Sequence, residues 1–279
     1  MIESPGSEIL DCLVDGEWSG YLSVADRGFM LGEGIWERVA MVHGRPWWWQ
    51  DHIDRLNRGG DRLALKVPHQ SILLREAQTV AAGHARALVY IFLTRGGALE
   101  RQHGDGRPGE TRIVMAFPWP PSDPQLNRRG VDARFCSLKL GVQPALGGIN
   151  HLNRLEWVLA ARENAAYEQV EGLLKDTNGH LISALASNIF LVMGRQLLTP
   201  RMDRNGIRGV LRGRIIREFK SRTELRRISP DMLEEADEVF LSDLVRGIVP
   251  VRSIEELSFE IGPVTRELQS WLSNRQEQL

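Results

Sequence analysis

Cysteine is scarce: Cys12 and Cys136 are the only two in 279 residues. Two thiols so far apart make no disulfide framework and no compact cysteine zinc site, and they suit a reducing compartment. No apolar run approaches the roughly 18 residues of a membrane-spanning helix, so no membrane partner is expected. The opening MIESPGSEIL lacks a basic stretch followed by an apolar one, which predicts no secretory signal and a cytoplasmic protein. Charge of one sign is never concentrated. The 35 Lys and Arg against 36 Asp and Glu leave a net charge of −1, with no polybasic stripe for a nucleic acid. Lysine itself is sparse. What remains is ordinary, 42% hydrophobic and 25% charged, and long enough for one large or two modest domains.

The first third mixes strands and helices. A hairpin is expected over 7–18 about Asp15-Gly16, and a second pair of apolar segments over 34–49 about His43-Gly44. Ile53, Leu56 and Leu63 fall near helical phase in a helix from Asp51 to Leu65. Ser71 to Ala82 is a second helix. Leu88–Leu93 and Arg112–Phe117 read as strands, separated by GGALERQHGDGRPGE, a loop whose glycines and charges predict mobility. Trp47, Trp48 and Trp49 at a strand end suit packing in a core or a dimer interface. PWPPSDPQLN, residues 118–127, carries four prolines in ten positions and reads as a linker. The division is therefore 1–120, a linker over 121–127, and 128–279.

Beyond the linker come a strand over 131–140, a turn at Gly147-Gly148, and a helix from His151 to about Tyr167. Leu152, Leu155 and Leu159 line one face of that helix. Strands near 172–176 and 187–193 follow, with Asn178-Gly179 as a tight turn. A helix runs from about Gly209 to Lys220, and Ser229-Pro230 reads as a helix start with Ser as N-cap. A strand over 239–242 and a helix over 263–275 complete an α+β chain.

Four segments, read in series, carry a resemblance. SVADRGFMLGEGIWE (23–37) is followed by a helix bearing H-x-x-R-L, here His52, Arg55 and Leu56. GGINHLNRLEWVLAARE occupies 147–163, and DTNGHLISALASNIFLV (176–192) ends in S-N-[LI]-F. TPRMDRNGIRGVLRGRII (199–216) precedes LEEADEVFLSDLVRGIVPVRSI (233–254). Together they resemble the class IV (fold type IV) pyridoxal-phosphate enzymes, the family of aminodeoxychorismate lyase and the branched-chain and D-amino-acid aminotransferases. The HLNRLE string is similar to the lyase branch. The resemblance implies a two-domain fold, a small α/β domain followed by a larger pseudo-barrel domain, and a homodimer.

Pyridoxal phosphate serves as an electron sink, and the resemblance implies a Schiff-base lysine, a carboxylate facing the pyridine nitrogen, and a phosphate cup. The family runs G-I-K-H-L-N-R where this chain has Gly148-Ile149-Asn150-His151-Leu152-Asn153-Arg154. A carboxamide neither forms an imine nor acts as a base near neutral pH. Asn150 precedes the expected helix and suits its N-cap, a role compatible with facing a ligand. Five residues before Asn188, where the family has glutamate, stands Ser183. Two losses that serve one chemistry point to divergence.

The phosphate cup is partly present. Arg55 matches the family's phosphate arginine, with a surface salt bridge as its alternative. Gly206, Ile207, Arg208 and Gly209 open a helix whose N–H groups favour an anion. Arg208 and Leu244 stand where some relatives have threonine. Lys139 and Lys175 are expected on strands, and a relocated Schiff base at Lys175 competes with an exposed strand-edge lysine. Glu33, His52, His151 and Asp243 are acid–base candidates, His151 first among them, with a first-turn helix residue as its alternative. Arg95, in LTRGG, matches a family loop near substrate, and Glu33 is assigned with it. No metal is expected. The reading is a divergent homologue acting as a cofactor-free enzyme on a chorismate-like or other small anionic molecule, with pyridoxal phosphate held at most noncovalently. Three alternatives stay open: a non-catalytic binding or regulatory homologue, a conventional lyase making 4-aminobenzoate, and an aminotransferase with a displaced lysine.

Overall fold

The computed structural model describes residues 8–97, 109–121, 123, 125–167 and 169–277. Most of the expected mobile loop over 96–110 lies outside the described residues, as do two residues of the proline-rich stretch. The chain divides into two units. Of the described residues, the first holds those up to Pro120 together with Ile149–Arg154; the second holds those of Pro121–Gly148 and from Leu155 onward. Chain order alone would put Ile149–Arg154 in the second.

The first unit contains β1 (Asp11–Val14), β2 (Glu17–Trp18), α1 (Arg27–Leu31), β3 (Gly34–Val42), β4 (Arg45–Pro46), α2 (Trp49–Leu63), α3 (Gln70–Val80), β5 (Arg86–Thr94) and β6 (Thr111–Pro118). Its six strands form one antiparallel sheet in the order β2-β1-β6-β5-β3-β4. Side chains alternate across a strand, and β3 shows the result. Ile35, Val39 and Met41 enter the core, where α2 packs on β3 and α3 on β5 and β6. Glu37 falls in that same buried phase. The tryptophan run enters α2 through Trp48, which takes a left-handed backbone at φ 49°. Trp47 and Trp48 are buried, and the Trp47 ring meets Trp119 edge-on at 5.7 Å.

The second unit contains α4 (Leu126–Arg129), β7 (Val131–Leu140), α5 (Leu155–Asn164), β8 (Val170–Asp176), β9 (Leu181–Ala184), β10 (Asn188–Met193), β11 (Gln196–Pro200), α6 (Val210–Glu218), β12 (Thr223–Arg226), β13 (Glu238–Asp243), β14 (Gly247–Ile254), β15 (Leu257–Ser258) and α7 (Pro263–Glu277). Nine strands form one mixed sheet, β12-β11-β10-β13-β14-β7-β8-β9, with β15 on β14. The parallel pair β7 and β8 is bridged by α5, as a parallel connection demands. Apolar residues of β10, β13 and β14 form one core cluster; Trp157 and Ala160 of α5 lie in another.

Three local expectations need correction. The helix expected from His151 begins only at Leu155, because the preceding residues pair with β3. Trp36 N–H donates to Asn150 O at 2.9 Å and Leu152 N–H to Gly34 O at 3.0 Å, a bridge that holds the segment extended. Asn150 is therefore not a helix N-cap, and His151 is not a first-turn residue. Ser229-Pro230 opens a single 3-10 turn, Pro230–Leu233, with no side-chain cap from Ser229. The helix expected to reach Lys220 ends at Glu218, with a separate 3-10 turn over Lys220–Arg222. Among the described residues no helix is long and apolar enough to cross a membrane, and no His, Cys, Asp or Glu cluster could hold a metal.

Candidate functional site

In the first unit the chemistry gathers at Glu37. Its Oε1 accepts from Arg55 Nε at 2.7 Å, its Oε2 from Arg55 Nη2 at 2.6 Å, and His52 Nδ1 lies 2.7 Å from Oε2. Glu37 and His52 are each 1% exposed and Arg55 9%, so Arg55 forms a buried ion pair in place of the surface bridge weighed above. Burial alone would raise the Glu37 carboxyl. The Arg55 charge, with hydrogen bonds from His52 and Arg55, outweighs it and holds the group below the usual carboxylate range. The fork geometry fixes the guanidinium against β3.

The Ile149–Arg154 segment lies along the start of β3. Asn150 is 6% exposed, and its Nδ2 donates to Trp36 O at 2.8 Å. His151 bridges Ile35, and its Nδ1 accepts from Asn153 N–H at 3.2 Å. Burial first, then the Arg154 charge, push the imidazole down to about 4. It is therefore neutral at pH 7, with its proton on Nε2. Burial also pushes Arg154 down to about 10, helped by the charges of Arg38 and Arg55. Three guanidiniums thus share one electrostatic neighbourhood.

His151 makes a testable link to pH. Between the usual 6.5 and the folded value of about 4, the unfolded chain takes up a proton that the folded chain refuses. Stability is therefore complete above about pH 6.5 and falls as pH drops through this window, by roughly 3 kcal/mol in all. Urea denaturation from about pH 7 to 4 should show His151→Gln losing that part of the slope. Parallel losses in both proteins would refute the link.

Arg95 and Glu33 are brought together with each other. Arg95 Nε donates to Glu33 Oε1 at 2.9 Å, and its Nη1 and Nη2 donate to Ala64 O and Leu63 O at 2.7 and 2.6 Å. Arg27 Nε holds the other Glu33 oxygen at 2.5 Å. Burial opposes these partners, yet they keep Glu33 a carboxylate below its usual range.

In the second unit Asn188 organises the Gly206–Gly209 turn. Its Nδ2 donates to Ile207 O at 2.9 Å and its Oδ1 accepts from Gly209 N–H at 3.0 Å. Gly148 N–H donates to Gly206 O at 3.0 Å, and Arg208 N–H to Gly148 O at 3.2 Å. Gly206 at φ 70° makes the bend that a side chain would strain. α6 then begins with Gly209 at its cap, a residue with no side chain to cap the first turn, an arrangement suited to an anion. Arg208 Nε donates to Met202 O at 3.1 Å. Arg212 is buried, donates to Thr199 Oγ1 and Pro200 O at 3.1 and 2.8 Å, and is pushed down to about 10 by burial and by Arg208. Ser183 is buried on β9 opposite Leu174. Asp243 Oδ1 accepts from Val245 and Arg246 N–H at 2.8 and 3.1 Å, and Leu244 is buried.

Lys139 and Lys175 are register partners on β7 and β8. Lys139 is exposed; Lys175 is half-buried, its Nζ 4.3 Å from the Phe135 ring centre. Lys66 and Lys220, the other two lysines of the chain, are exposed.

Sequence reasoning missed Glu37, Arg38 and Arg154. A signal for Glu37 existed: among Ile35, Val39 and Met41 it is a charge on the buried phase of a strand, which demands a buried partner. A second missed group joins Arg246 to Glu171 and, at 2.8 Å, to Ser187 Oγ.

Known proteins share this fold. The 4-amino-4-deoxychorismate lyase structure from Pseudomonas aeruginosa superposes with a TM-score of 0.90 at 33% identity, over 94% of this chain and 98% of that one. The aminodeoxychorismate lyase of Vibrio harveyi is 27% identical over 93% of this chain and 98% of its own. The branched-chain amino acid aminotransferase of Escherichia coli shares the fold, with a TM-score of 0.85 at 22% identity over 96% and 94%. These likenesses show the fold type IV architecture. Residues 34–254, from the first residue of β3 to the last of β14, match the amino-transferase class IV family, and the chain belongs to that family.

Proposed function

We propose that this chain is a divergent relative of aminodeoxychorismate lyase that lacks the Schiff-base lysine and acts without a covalent cofactor on a chorismate-like or other small anionic molecule. The observation that carries the reading is the state of position 150 together with the lysines. Asn150 stands where the family string implies lysine, and its amide is bonded to Trp36 O. None of the four lysines is buried, whereas an imine-forming amine needs a desolvated or otherwise perturbed site.

Pyridoxal phosphate, the cofactor that the resemblance implies, fits these residues poorly. One N–H of the Asn150 amide is engaged by Trp36 O, and its Oδ1, the atom without a partner, is an acceptor that would face the acceptor oxygen of an aldehyde. Ser183 supplies no charge for a pyridinium. What the first unit offers is anion binding by Arg55 and Arg154 and a neutral His151 that can donate from Nε2; what the second offers, by itself, is the Gly206–Gly209 turn. Within the second unit, Ser183 and Asn188 belong to the ligand-binding residues of this reading; within the first, Arg95 with Glu33 would serve to position substrate. A homodimer is part of the proposal, supported by the exposed apolar side chains of Tyr21, Val24, Phe29 and Leu31. A cytoplasmic setting, supported by two free thiols, and no membrane or nucleic-acid partner belong to the same reading.

The test is mass spectrometry of the native protein after incubation with pyridoxal phosphate and borohydride. The expected result is no phosphopyridoxyl group on any lysine. A stoichiometric label on one lysine would restore the conventional lyase or the displaced-lysine aminotransferase.

A further inference from the structure

Among the buried polar atoms of the first unit that have no hydrogen-bond partner is one acceptor, the side-chain oxygen of Asn150. Asn150 is clamped at both its backbone and its side chain. Its carbonyl accepts from Trp36 N–H at 2.9 Å and its Nδ2 donates to Trp36 O at 2.8 Å. The second bond fixes the amide's orientation by chemistry, since only the nitrogen can donate to a carbonyl. The oxygen must therefore point away from β3. There Oδ1 is buried with no hydrogen-bond partner, in a residue 6% exposed. A naked buried acceptor is unfavourable unless something donates to it.

The surroundings restrict what that donor is. Arg154, four residues along the same segment, is repelled by Arg38 and Arg55, so an anionic ligand relieves the neighbourhood. An ammonium donor would add to the repulsion, whereas a hydroxyl brings an O–H without charge. The neighbouring His151 does not supply the donor: its Nδ1 accepts from Asn153 N–H, and Oδ1 has no partner from its Nε2 or from any other group.

We infer that Asn150 is a specificity-determining acceptor, and that its Oδ1 selects small anions carrying a hydroxyl donor over otherwise identical anions without one. This deepens the proposed function and rests on it for the anionic class. It assigns the residue at the lysine position a binding role that no lysine could play, since an ammonium has no lone pair to offer.

The test compares two compounds that differ by one hydroxyl and cannot form an imine: pyridoxine 5′-phosphate and 4′-deoxypyridoxine 5′-phosphate. Titration calorimetry of the native full chain should show the hydroxylated compound binding about tenfold more tightly. In Asn150→Leu the two affinities should come within about twofold of each other, with binding of inorganic phosphate unchanged. Equal affinities in the native protein, binding of neither compound, or a preference that survives in Asn150→Leu would each overturn the inference. The native comparison decides the question even if the variant folds poorly. A lysine adduct with pyridoxal phosphate would instead sink the proposed function, so the two failures are distinguishable.

Discussion

Glu37→Gln lowers the unfolding free energy by about 3–5 kcal/mol, the expected result of stranding one partner of a buried ion pair. The size follows from what stays behind. Arg55 keeps its charge and its place beneath β3, but loses both carboxylate oxygens of its fork. His52 loses the acceptor 2.7 Å from its Nδ1. A glutamine offers one oxygen, and its amide N–H groups would face donors. Glu33→Gln is the natural control, because its pairs with Arg27 and Arg95 are more exposed at 24% for the glutamate, and its loss should stay nearer 1 kcal/mol. Urea midpoints for the two variants decide the matter, and equal shifts would refute the special standing of Glu37. The pH dependence has a definite sign. Glu37 titrates below its usual 4.5 in the folded chain, so its stabilisation is complete above that pH and is lost as pH falls through the folded value. The acid limb of Glu37→Gln should therefore be flatter than that of the native protein.

The second large effect is a gain. Asn150→Lys should acquire a borohydride-fixed phosphopyridoxyl label at residue 150, rising from none to near one per chain. The reasoning is electrostatic. A lysine amine at this buried position would sit beside His151, on the segment where Arg154 is already pushed down by burial and by like charges. Both influences favour the neutral amine over the ammonium, and the neutral amine is the nucleophile that captures an aldehyde. Peptide mapping after reduction locates the label. If the variant folds with a native melting profile and remains unlabelled, the partly retained anion cup has been misread. Labelling of the variant alone leaves the native chain's lack of reactivity resting on one carboxamide.

Much of the fold was legible because the signals were local. Leu88–Leu93 reads as strand from its β-branched and aromatic residues, and β5 extends it by two residues at the start and one at the end. The apolar spacing of Ile53, Leu56 and Leu63 fixes α2, although the helix begins two residues early because Trp48 makes the turn that precedes it. Strands β9, β11 and β12 run only four or five residues, too few for a period of two to stand out. The helix expected from His151 failed for a different reason. Leu152, Leu155 and Leu159 have helical spacing, but a bridge to Ile35, more than a hundred residues away, decides the backbone at 150–152, and no window of sequence contains that partner. The same holds for the polar groups. His52 and Arg55 are visible as a motif, whereas their closure on Glu37 depends on α2 packing against β3.

The six residues Ile149–Arg154 belong in space to the unit that ended at Pro120. A gene fragment stopping at the proline-rich stretch would therefore encode an incomplete N-terminal half. The amide and carbonyl of Trp36, which the returning segment satisfies, would be left bare at the border of its sheet. Excising the C-terminal half would cut the same piece away from its neighbours. No single break in the polypeptide separates the two compact units, so grafting the first one requires carrying the returning segment along on a new connection and not a simple truncation.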